Sequence, residues 1–283
     1  MTVDIICPLY KAENDIERLH KSLLLQKDVK INEIKYVLTE SNDNTENKLE
    51  SLNIKYEKIK KEEFSHSLTR EKTAFQSKAD IVVFITQDIK IERNDWLCNL
   101  IKDIENGKVE ACYSRQLCYD NTIEKYTREN NYPKESRIVS NEDINELGLK
   151  TFFFSDASSA IRRDVFVKIN GYDNKDLVIN EDMYIAYKLI TMGYKIKYCA
   201  DSEVVHSHQF TLKQYYNRYK DTGKFLKENN YLNKYKVNKA GGSMAIYIFR
   251  RAMQDKNWEV LKKYIPNMTA RFIGMKMGKI IKW

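Results

Sequence analysis

Residues 80–88 read Asp-Ile-Val-Val-Phe-Ile-Thr-Gln-Asp, a short β-branched apolar run that ends in an amide and a carboxylate. A continuous apolar run of this length predicts a strand that is buried on both faces. In an open parallel sheet, ligands bind at the carboxyl ends of the strands, where a carboxylate suits a divalent metal beside a diphosphate. Asp88 is therefore a candidate metal ligand. The alternatives are a solvated loop residue or the cap of the following helix.

Strand and helix patterns alternate over about the first 110 residues. Strand patterns occur at 3–8, 34–39, 54–59 and 81–85. Between them, apolar residues recur at helical spacing, as at Ile16, Leu19 and Leu23. This alternation predicts βαβ units, and therefore an α/β fold with a mostly parallel central sheet that is flanked by helices.

The composition indicates a folded protein of one large domain, or of one domain with an appendage. The chain has 283 residues, of which 42% are hydrophobic, with only 9 Gly and 3 Pro. No stretch reaches the ~18–20 apolar residues of a membrane span, and the first residues lack the pattern of a secretion signal. The five cysteines are scattered, without metal-ligand spacing, which favours a reduced, cytoplasmic protein.

The positive charge is concentrated at the end of the chain. Residues 211–283 contain 17 Lys and Arg against four acids, so of the total of +8 they carry +13 and leave −5 for residues 1–210. Such a basic segment suits nucleic acid, anionic lipid or an anionic substrate, although a solvated helical face is the simpler alternative. Residues 264–283 also combine apolar and aromatic side chains with lysines, which predicts contact with an anionic membrane surface. The alternatives are helix packing on the rest of the chain or a dimer contact.

Three more polar clusters follow predicted strands or open a predicted helix. The first is 40–45, after the second strand. Glu181 and Asp182 begin a helix, where the helix dipole favours carboxylates, so capping competes with a catalytic role. His206 and His208 lie on the same side of an extended segment and are two of only four histidines, which makes them candidate metal ligands.

These clusters, in this order, resemble family 2 glycosyltransferases of the GT-A fold, in the bacterial rhamnosyltransferase-like branch. The resemblance covers about residues 3–225. The matching segments are 7–10, 40–45, 64–70, 86–88, 154–163, 181–194 and 205–223. It implies a catalytic domain at 1–210, with a nucleotide-sugar half at about 1–110 and an acceptor half at about 111–210, followed by a helical, basic C-terminal region at 211–283.

The resemblance also implies a role for particular residues. The implied donor-binding residues are Pro8, Leu9, Tyr10, Glu40, Asp43, Arg70, Gln87 and Asp88. Asp88 is the implied ligand of Mg²⁺ or Mn²⁺, together with His206 or His208, of which we favour His206. Asp182 is the implied general base of an inverting transfer, with Glu181 beside it, and Asp156 lies on the acceptor side. Gln87 replaces the first acid of the usual Asp-x-Asp triplet, as is typical of the rhamnosyltransferase branch.

The expected reaction is transfer of L-rhamnose from dTDP-rhamnose to a bacterial surface polysaccharide or its polyprenyl-diphosphate-linked precursor, at the inner face of the cell membrane. One alternative is a UDP-hexose or UDP-N-acetylhexosamine donor. A sugar nucleotidyltransferase is less consistent, because residues 8–12 lack the glycines of a phosphate-binding loop. A non-enzymatic module that binds membranes or nucleic acid would not explain why the polar clusters occur together. We therefore expect no nucleic acid partner.

Overall fold

The structure, a computed structural model, describes residues 1–235 and 240–280. The chain divides into two compact units. The sheet unit consists of residues 1–116, 134–141 and 152–206, and the helical unit consists of residues 117–133, 142–151 and 207–283. The predicted domain boundary at residue 210 lies close to residue 206, where the chain leaves the sheet unit for the last time. The first two segments of the helical unit, 117–133 and 142–151, fall within the predicted catalytic domain. Residues 281–283 of the predicted membrane-contacting segment lie outside the described residues.

The first half of the sheet unit is a series of βαβ units. Its elements are β1 (Thr2–Leu9), α1 (Ile16–Leu24), β2 (Lys30–Thr39), α2 (Thr45–Ser51), β3 (Tyr56–Ile59), α3 (His66–Gln76), β4 (Ile81–Ile85) and α4 (Trp96–Glu105). The four strands lie in the order β3-β2-β1-β4, and all three of their pairings are parallel. The carboxyl ends of these strands therefore meet at one edge, which is where the predicted donor residues follow β1, β2 and β4.

The second half of the chain adds antiparallel strands to the same sheet. Its elements are β5 (Ala111–Leu117), α5 (Ile123–Asn131), β6 (Arg137–Val139), α6 (Ile144–Leu147), β7 (Ser158–Arg162), α7 (Arg163–Lys168), α8 (Glu181–Thr191) and β8 (Ile196–Val205). β7 runs antiparallel to β4, with Ser158 opposite Ile85. The residues that precede β7 therefore lie at the carboxyl edge of β4. The full order is β3-β2-β1-β4-β7-β5-β8-β6.

The core confirms the reading of residues 81–85 as a strand buried on both faces, since all five side chains are buried. On one face of the sheet, Val83 and Ile85 belong to a cluster that includes Leu19 of α1 and Trp96 of α4. The indole Nε1 of Trp96 donates to the hydroxyl of Ser114, 3.0 Å away, so even this large ring has its polar atom paired.

The helical unit ends in α9 (Leu212–Glu228), α10 (Ala240–Gln254) and α11 (Trp258–Ile280). The backbones of α9 and α11 are in direct contact at glycines. A Cβ on Gly278 would lie 1.9 Å from the carbonyl oxygen of Lys220, and one on Gly274 would lie 2.3 Å from that of Tyr216. Within the described residues, no helix combines the length and the apolar character that a membrane crossing requires.

Candidate active site

A cavity of about 450 Å³ opens at the carboxyl edge of the parallel strands. This volume is typical of small-molecule sites. Six of the eight predicted donor-binding residues line it, namely Pro8, Leu9, Tyr10, Arg70, Gln87 and Asp88. Five further lining residues are Thr39, Lys61, Phe64, His66 and Thr86.

Gln87 joins the loops that follow β1 and β4. Its amide Nε2 donates to the carbonyl oxygen of Tyr10 at 2.8 Å, and its Oε1 accepts the N–H of Tyr10 at 2.7 Å. Both ends of the amide are needed for this pair of bonds, and a carboxylate could accept but not donate. Gln87 therefore fixes one wall of the cavity through the backbone of Tyr10.

Asp88 faces His206, which lies at the end of β8. The distance from Asp88 Oδ2 to His206 Nε2 is 3.4 Å. The imidazole is only 7% exposed, and its Nδ1 lies 2.8 Å from Gln116 Oε1. Gln116 is itself held, since its Nε2 donates to the hydroxyl of Ser155 at 2.7 Å.

This arrangement suits a divalent cation. Because Gln116 Oε1 can only accept, His206 donates through Nδ1 and turns Nε2 toward Asp88. A neutral Nε2 and a carboxylate oxygen are both acceptors, and a divalent cation between them would satisfy both. Polar partners that fix the tautomer in this way are usual behind metal-bound histidines. His208 belongs to the helical unit, where its ring stacks on Phe210 with centroids 4.8 Å apart, and its part in the metal site stays a prediction.

Two hydroxyl groups on the cavity wall are available to a ligand. Among the described residues, the buried Oγ1 atoms of Thr39 and Thr86 have no hydrogen-bond partner. Thr39 is the last residue of β2, and its side chain is 1% exposed. Since buried hydroxyls are normally paired, these two are candidates for bonds to a polar ligand.

Glu40 and Asp43 follow β2 but do not lie on the described wall of the cavity. Glu40 is exposed, and its N–H donates to the carbonyl of Ile59 at 2.9 Å. The carboxylate of Asp43 accepts the hydroxyls of Ser41 and Thr45, each at 2.5 Å. Partial burial opposes ionisation, but these bonds outweigh it and lower the pKa of Asp43. Asp43 therefore shapes the loop after β2.

Arg70 lies between the cavity and helix α8. Its side chain is 2% exposed, and its Nη1 lies 3.1 Å from Glu181 Oε1. Burial alone would lower the pKa of this guanidinium, but the carboxylates of Glu181 and Asp156 raise it above its ordinary value. Arg70 Nε is buried and has no hydrogen-bond partner among the described residues. Arg70 is thus a permanent cation that both lines the cavity and holds the start of α8.

Asp156 lies in the loop before β7 and is 2% exposed. It accepts hydrogen bonds from the hydroxyls of Tyr172 at 2.6 Å and Ser159 at 2.7 Å. Burial raises its pKa, although Arg70 acts in the opposite direction. Its contacts are internal ones that connect β7 to the segment before α8.

Asp182 lies in the first turn of α8. The residue before the helix, Asn180, has φ +60° and turns the chain sharply into it. The Oδ1 atom of Asp182 accepts its neighbour's amide, that of Met183, at 2.7 Å. The other carboxylate oxygen, Oδ2, takes no part in this bond. The partial positive charge at the start of the helix stabilises the negative charge of the carboxylate.

The sequence does not single out Gln116, Tyr172 or Lys61. Gln116 and Tyr172 are buried partners of His206 and Asp156, and their spacing along the chain carries no signal of those contacts. Lys61 precedes the 64–70 motif and lines the cavity beside Phe64 and His66. The position of Lys61, a cation close to a recognised motif, is the one sequence signal that could have identified one of these three residues.

Comparison with known proteins agrees with this geometry. Residues 4–169 match the family described as glycosyl transferase family 2. The O-antigen chain rhamnosyltransferase WbaN of Salmonella anatum is 34% identical over 227 residues, which are 78% of this chain and 71% of WbaN. The O-antigen chain rhamnosyltransferase RfbN of Salmonella typhimurium is 31% identical over 233 residues, or 80% of this chain and 73% of RfbN.

A solved structure confirms the expected fold. The mannosyltransferase PcManGT from Pyrobaculum calidifontis, in complex with GDP-Man and Mn²⁺, matches with a TM-score of 0.60 and 14% sequence identity. The match covers 97% of this chain and 84% of PcManGT. At this identity the likeness shows the GT-A fold alone. Together with the sequence matches, it establishes that the chain is a glycosyltransferase and belongs to glycosyltransferase family 2.

Proposed function

We propose that this glycosyltransferase transfers L-rhamnose, with inversion, from dTDP-rhamnose to a growing bacterial surface polysaccharide or its polyprenyl-diphosphate-linked precursor. The observation that carries the proposal is that Asp88, on the wall of the carboxyl-edge cavity, faces His206. The choice of sugar is supported by WbaN and RfbN, both of which are O-antigen chain rhamnosyltransferases.

The cavity offers groups that suit a nucleoside diphosphate. Arg70 and Lys61 place two cations on its wall, and Arg70 also has the unpaired Nε. The free hydroxyls of Thr39 and Thr86 suit the ribose or the base. We assign to Glu40, which follows Thr39 at the end of β2, a contact with the base or the ribose of the donor.

Asp88, His206 and His208 are the residues that would hold Mg²⁺ or Mn²⁺. When bound, the cation would supply positive charge opposite the leaving diphosphate. Support comes from the two facing acceptors, Asp88 Oδ2 and His206 Nε2, and from PcManGT, which was solved with Mn²⁺. We include His208 among the proposed ligands because it lies two residues after His206 in the sequence.

The acceptor hydroxyl is a weak nucleophile and needs a base in the transition state. We assign this role to Asp182, which receives the hydroxyl proton while Glu181 stays paired with Arg70. Because the pair also joins α8 to the wall of the cavity, it supports a fixed distance between the base and the donor. Asp156 is then a positioning residue, since its carboxylate bonds Tyr172 and Ser159.

The outer face of α11 supports peripheral attachment to an anionic membrane. Trp258, Ile265 and Phe272 follow at seven-residue intervals and are 61%, 72% and 63% exposed, so they share one face of the helix. Lys276 and Lys279 are exposed as well, and no acid occurs between Val260 and Ile280. Gly274 and Gly278 form the opposite face, against α9. Apolar and basic residues on one helical face suit an anionic lipid surface, here the inner face of the cell membrane.

The direct test is a panel of nucleotide sugars. Purified protein is incubated separately with dTDP-rhamnose, UDP-glucose, UDP-N-acetylglucosamine and GDP-mannose. Each reaction also contains lipid-linked acceptors extracted from bacterial cells that produce the protein, and Mn²⁺ or Mg²⁺. We expect product formation with dTDP-rhamnose above the other donors. Preferred transfer from a UDP-sugar would replace the rhamnosyl proposal with the alternative donor, and the family assignment would stand.

A further inference from the structure

The loop between α7 and α8 has an unusual backbone. Asn170, Gly171, Asp173, Asn174 and Asn180 all have positive φ angles, of 58°, 44°, 59°, 55° and 60°. Residues with a side chain rarely adopt this left-handed conformation, and runs of it persist only where the surroundings impose it. The loop leads directly into Glu181 and Asp182, so whatever imposes its conformation also sets where α8 begins.

Glu71 of α3 holds this loop from inside the protein. Its carboxylate Oε1 accepts the N–H of Tyr172 at 2.6 Å and the N–H of Asn174 at 3.3 Å, and the side chain is 4% exposed. N–H groups that converge around left-handed residues form a concave site for an anion. Here the anion is a side chain of the same protein. The fit is tight, because a Cβ on Gly171 would lie 2.8 Å from Glu71 Oε1.

Two more contacts from α3 hold the same segment. The hydroxyl of Ser67 donates to the carbonyl of Lys175 at 2.5 Å and accepts the N–H of Leu177 at 2.9 Å. One turn further along the helix, Arg70 pairs with Glu181. Ser67, Arg70 and Glu71 therefore contact the chain at successive points from Tyr172 to the first residue of α8.

The opposite side of the loop is held by α8 itself. Lys188 Nζ donates to the carbonyl of Gly171 at 2.9 Å and lies 2.6 Å from Asp173 Oδ2. The hydroxyl of Tyr184 donates to the same oxygen, Asp173 Oδ2, at 2.7 Å. The loop is therefore clamped between α3 and α8, and α3 also lines the cavity through His66 and Arg70.

We propose that Glu71 is a positioning residue of the transfer reaction, which fixes the loop before α8 and thereby holds Asp182 at its working distance from the donor cavity. The proposal rests on the proposed function in one respect, the assignment of Asp182 as the base. Glu71 contacts backbone N–H groups of the loop and does not line the donor cavity as described. Its loss acts on turnover and leaves donor binding in place.

The test compares Glu71→Met, which keeps the length of the side chain but removes the acceptor oxygen, with a control on the next residue of the helix, Lys72→Met. Lys72 has a side chain that is 62% exposed and pairs with Glu57 outside the loop. Two quantities are measured: steady-state transfer, with kcat and donor KM separated, and hydrogen exchange of the backbone amides. For Glu71→Met we expect faster exchange at Tyr172 and Asn174, a kcat lowered about tenfold or more, and a donor KM within about twofold of the wild type. Lys72→Met leaves all three unchanged.

Glu71→Asp, which keeps the charge on a shorter stem, should recover part of the kcat. Unchanged exchange at Tyr172 and Asn174 would overturn the proposal, and so would a fall in kcat accompanied by faster exchange throughout the sheet unit, which indicates general destabilisation. Failure of the proposed function has a separate signature. In that case the wild-type protein transfers no rhamnose, whereas local exchange in Glu71→Met still reports whether the carboxylate holds the loop.

Discussion

Arg70 and Glu181 form a buried ion pair, 3.1 Å between Nη1 and Oε1, that joins the donor cavity to the helix carrying the proposed base. The two residues are 111 positions apart in the sequence. Arg70 is 2% exposed and Glu181 13%, so little water can replace either partner if the other is removed. The pair links α3 to α8 within the sheet unit.

Arg70→Met should destabilise the protein by roughly 3–5 kcal/mol, since it leaves the Glu181 carboxylate buried without its partner. The measurement is urea unfolding followed by circular dichroism. The double variant Arg70→Met, Glu181→Gln should recover part of the loss, because it removes both charges. A single variant within about 1 kcal/mol of the wild type, as for an exposed pair, would contradict a buried interaction.

Asp182→Asn should lower kcat by about 10²–10⁴-fold, because the amide cannot take up the proton of the acceptor hydroxyl. Donor binding should remain, since Asp182 lies outside the described wall of the cavity. Single-turnover transfer and calorimetric titration with dTDP separate the two effects. Asp176→Asn, an exposed position in the preceding loop, is the control and should behave as the wild type. Normal turnover in Asp182→Asn would exclude Asp182 as the base.

Asp156 and Asp43 should affect stability in opposite directions as pH changes. Burial raises the pKa of Asp156, so its contribution is fully present below the ordinary Asp value of about 4 and is lost as pH rises. The pKa of Asp43 is lowered, so its contribution is present above that value and is lost as pH falls.

The measurement is the unfolding free energy of Asp156→Asn and Asp43→Asn, each relative to the wild type, between about pH 4 and pH 7. The advantage of the wild type over Asp156→Asn should shrink toward pH 7, whereas its advantage over Asp43→Asn should grow. Differences that change with pH in the same direction for both variants would contradict these assignments.

The strands of the first half of the fold are predictable from the sequence, because a buried strand such as 81–85 is continuously apolar and a parallel sheet needs helices between its strands. The antiparallel second half is not. β7 spans only Ser158–Arg162 and contains two serines and an arginine, so little in its pattern indicates that it lies beside β4. The residue pattern at 152–161 also predicts a strand, but the observed strand begins only at Ser158, and residues 148–152 form a short 3-10 helix.

The site divides in the same way. Residues that directly follow strands, such as Gln87 and Asp88, can be located from the sequence, because the strand end fixes where they lie. Buried partners cannot. Gln116 reaches His206 across 90 positions, and in the helical unit Arg271 reaches Glu124 across 147, at 3.3 Å. Such pairs depend on strand order and helix packing, which pairwise sequence spacing does not encode.

Removal of the apolar side chains from the outer face of α11 should weaken binding to anionic membranes. Ile265→Ser with Phe272→Ser takes away two side chains that are 72% and 63% exposed, so the fold loses little. We expect a loss of about tenfold or more in binding to phosphatidylglycerol vesicles measured by co-sedimentation, since burying each such side chain gives about 1.5–3 kcal/mol.

The matched control for the membrane prediction is Leu24→Ser with Leu25→Ser, at positions that are 65% and 67% exposed in the sheet unit. This variant should bind vesicles as the wild type does, and neither protein should bind phosphatidylcholine vesicles strongly. Equal vesicle binding by the α11 variant and the wild type would favour helix packing or a dimer contact at this face.

The proposed function depends on a divalent cation that Asp88 and His206 hold against the diphosphate of the donor. Calorimetric titration of dTDP into the protein, with and without Mn²⁺, measures the contribution of this cation to donor binding. The wild type should bind dTDP at least about tenfold more tightly with Mn²⁺, whereas Asp88→Asn should show no such gain. The control Asp95→Asn, whose carboxylate pairs with exposed Arg93, should keep the full gain. A Mn²⁺-dependent gain in Asp88→Asn equal to that of the wild type would exclude Asp88 as a ligand of the cation.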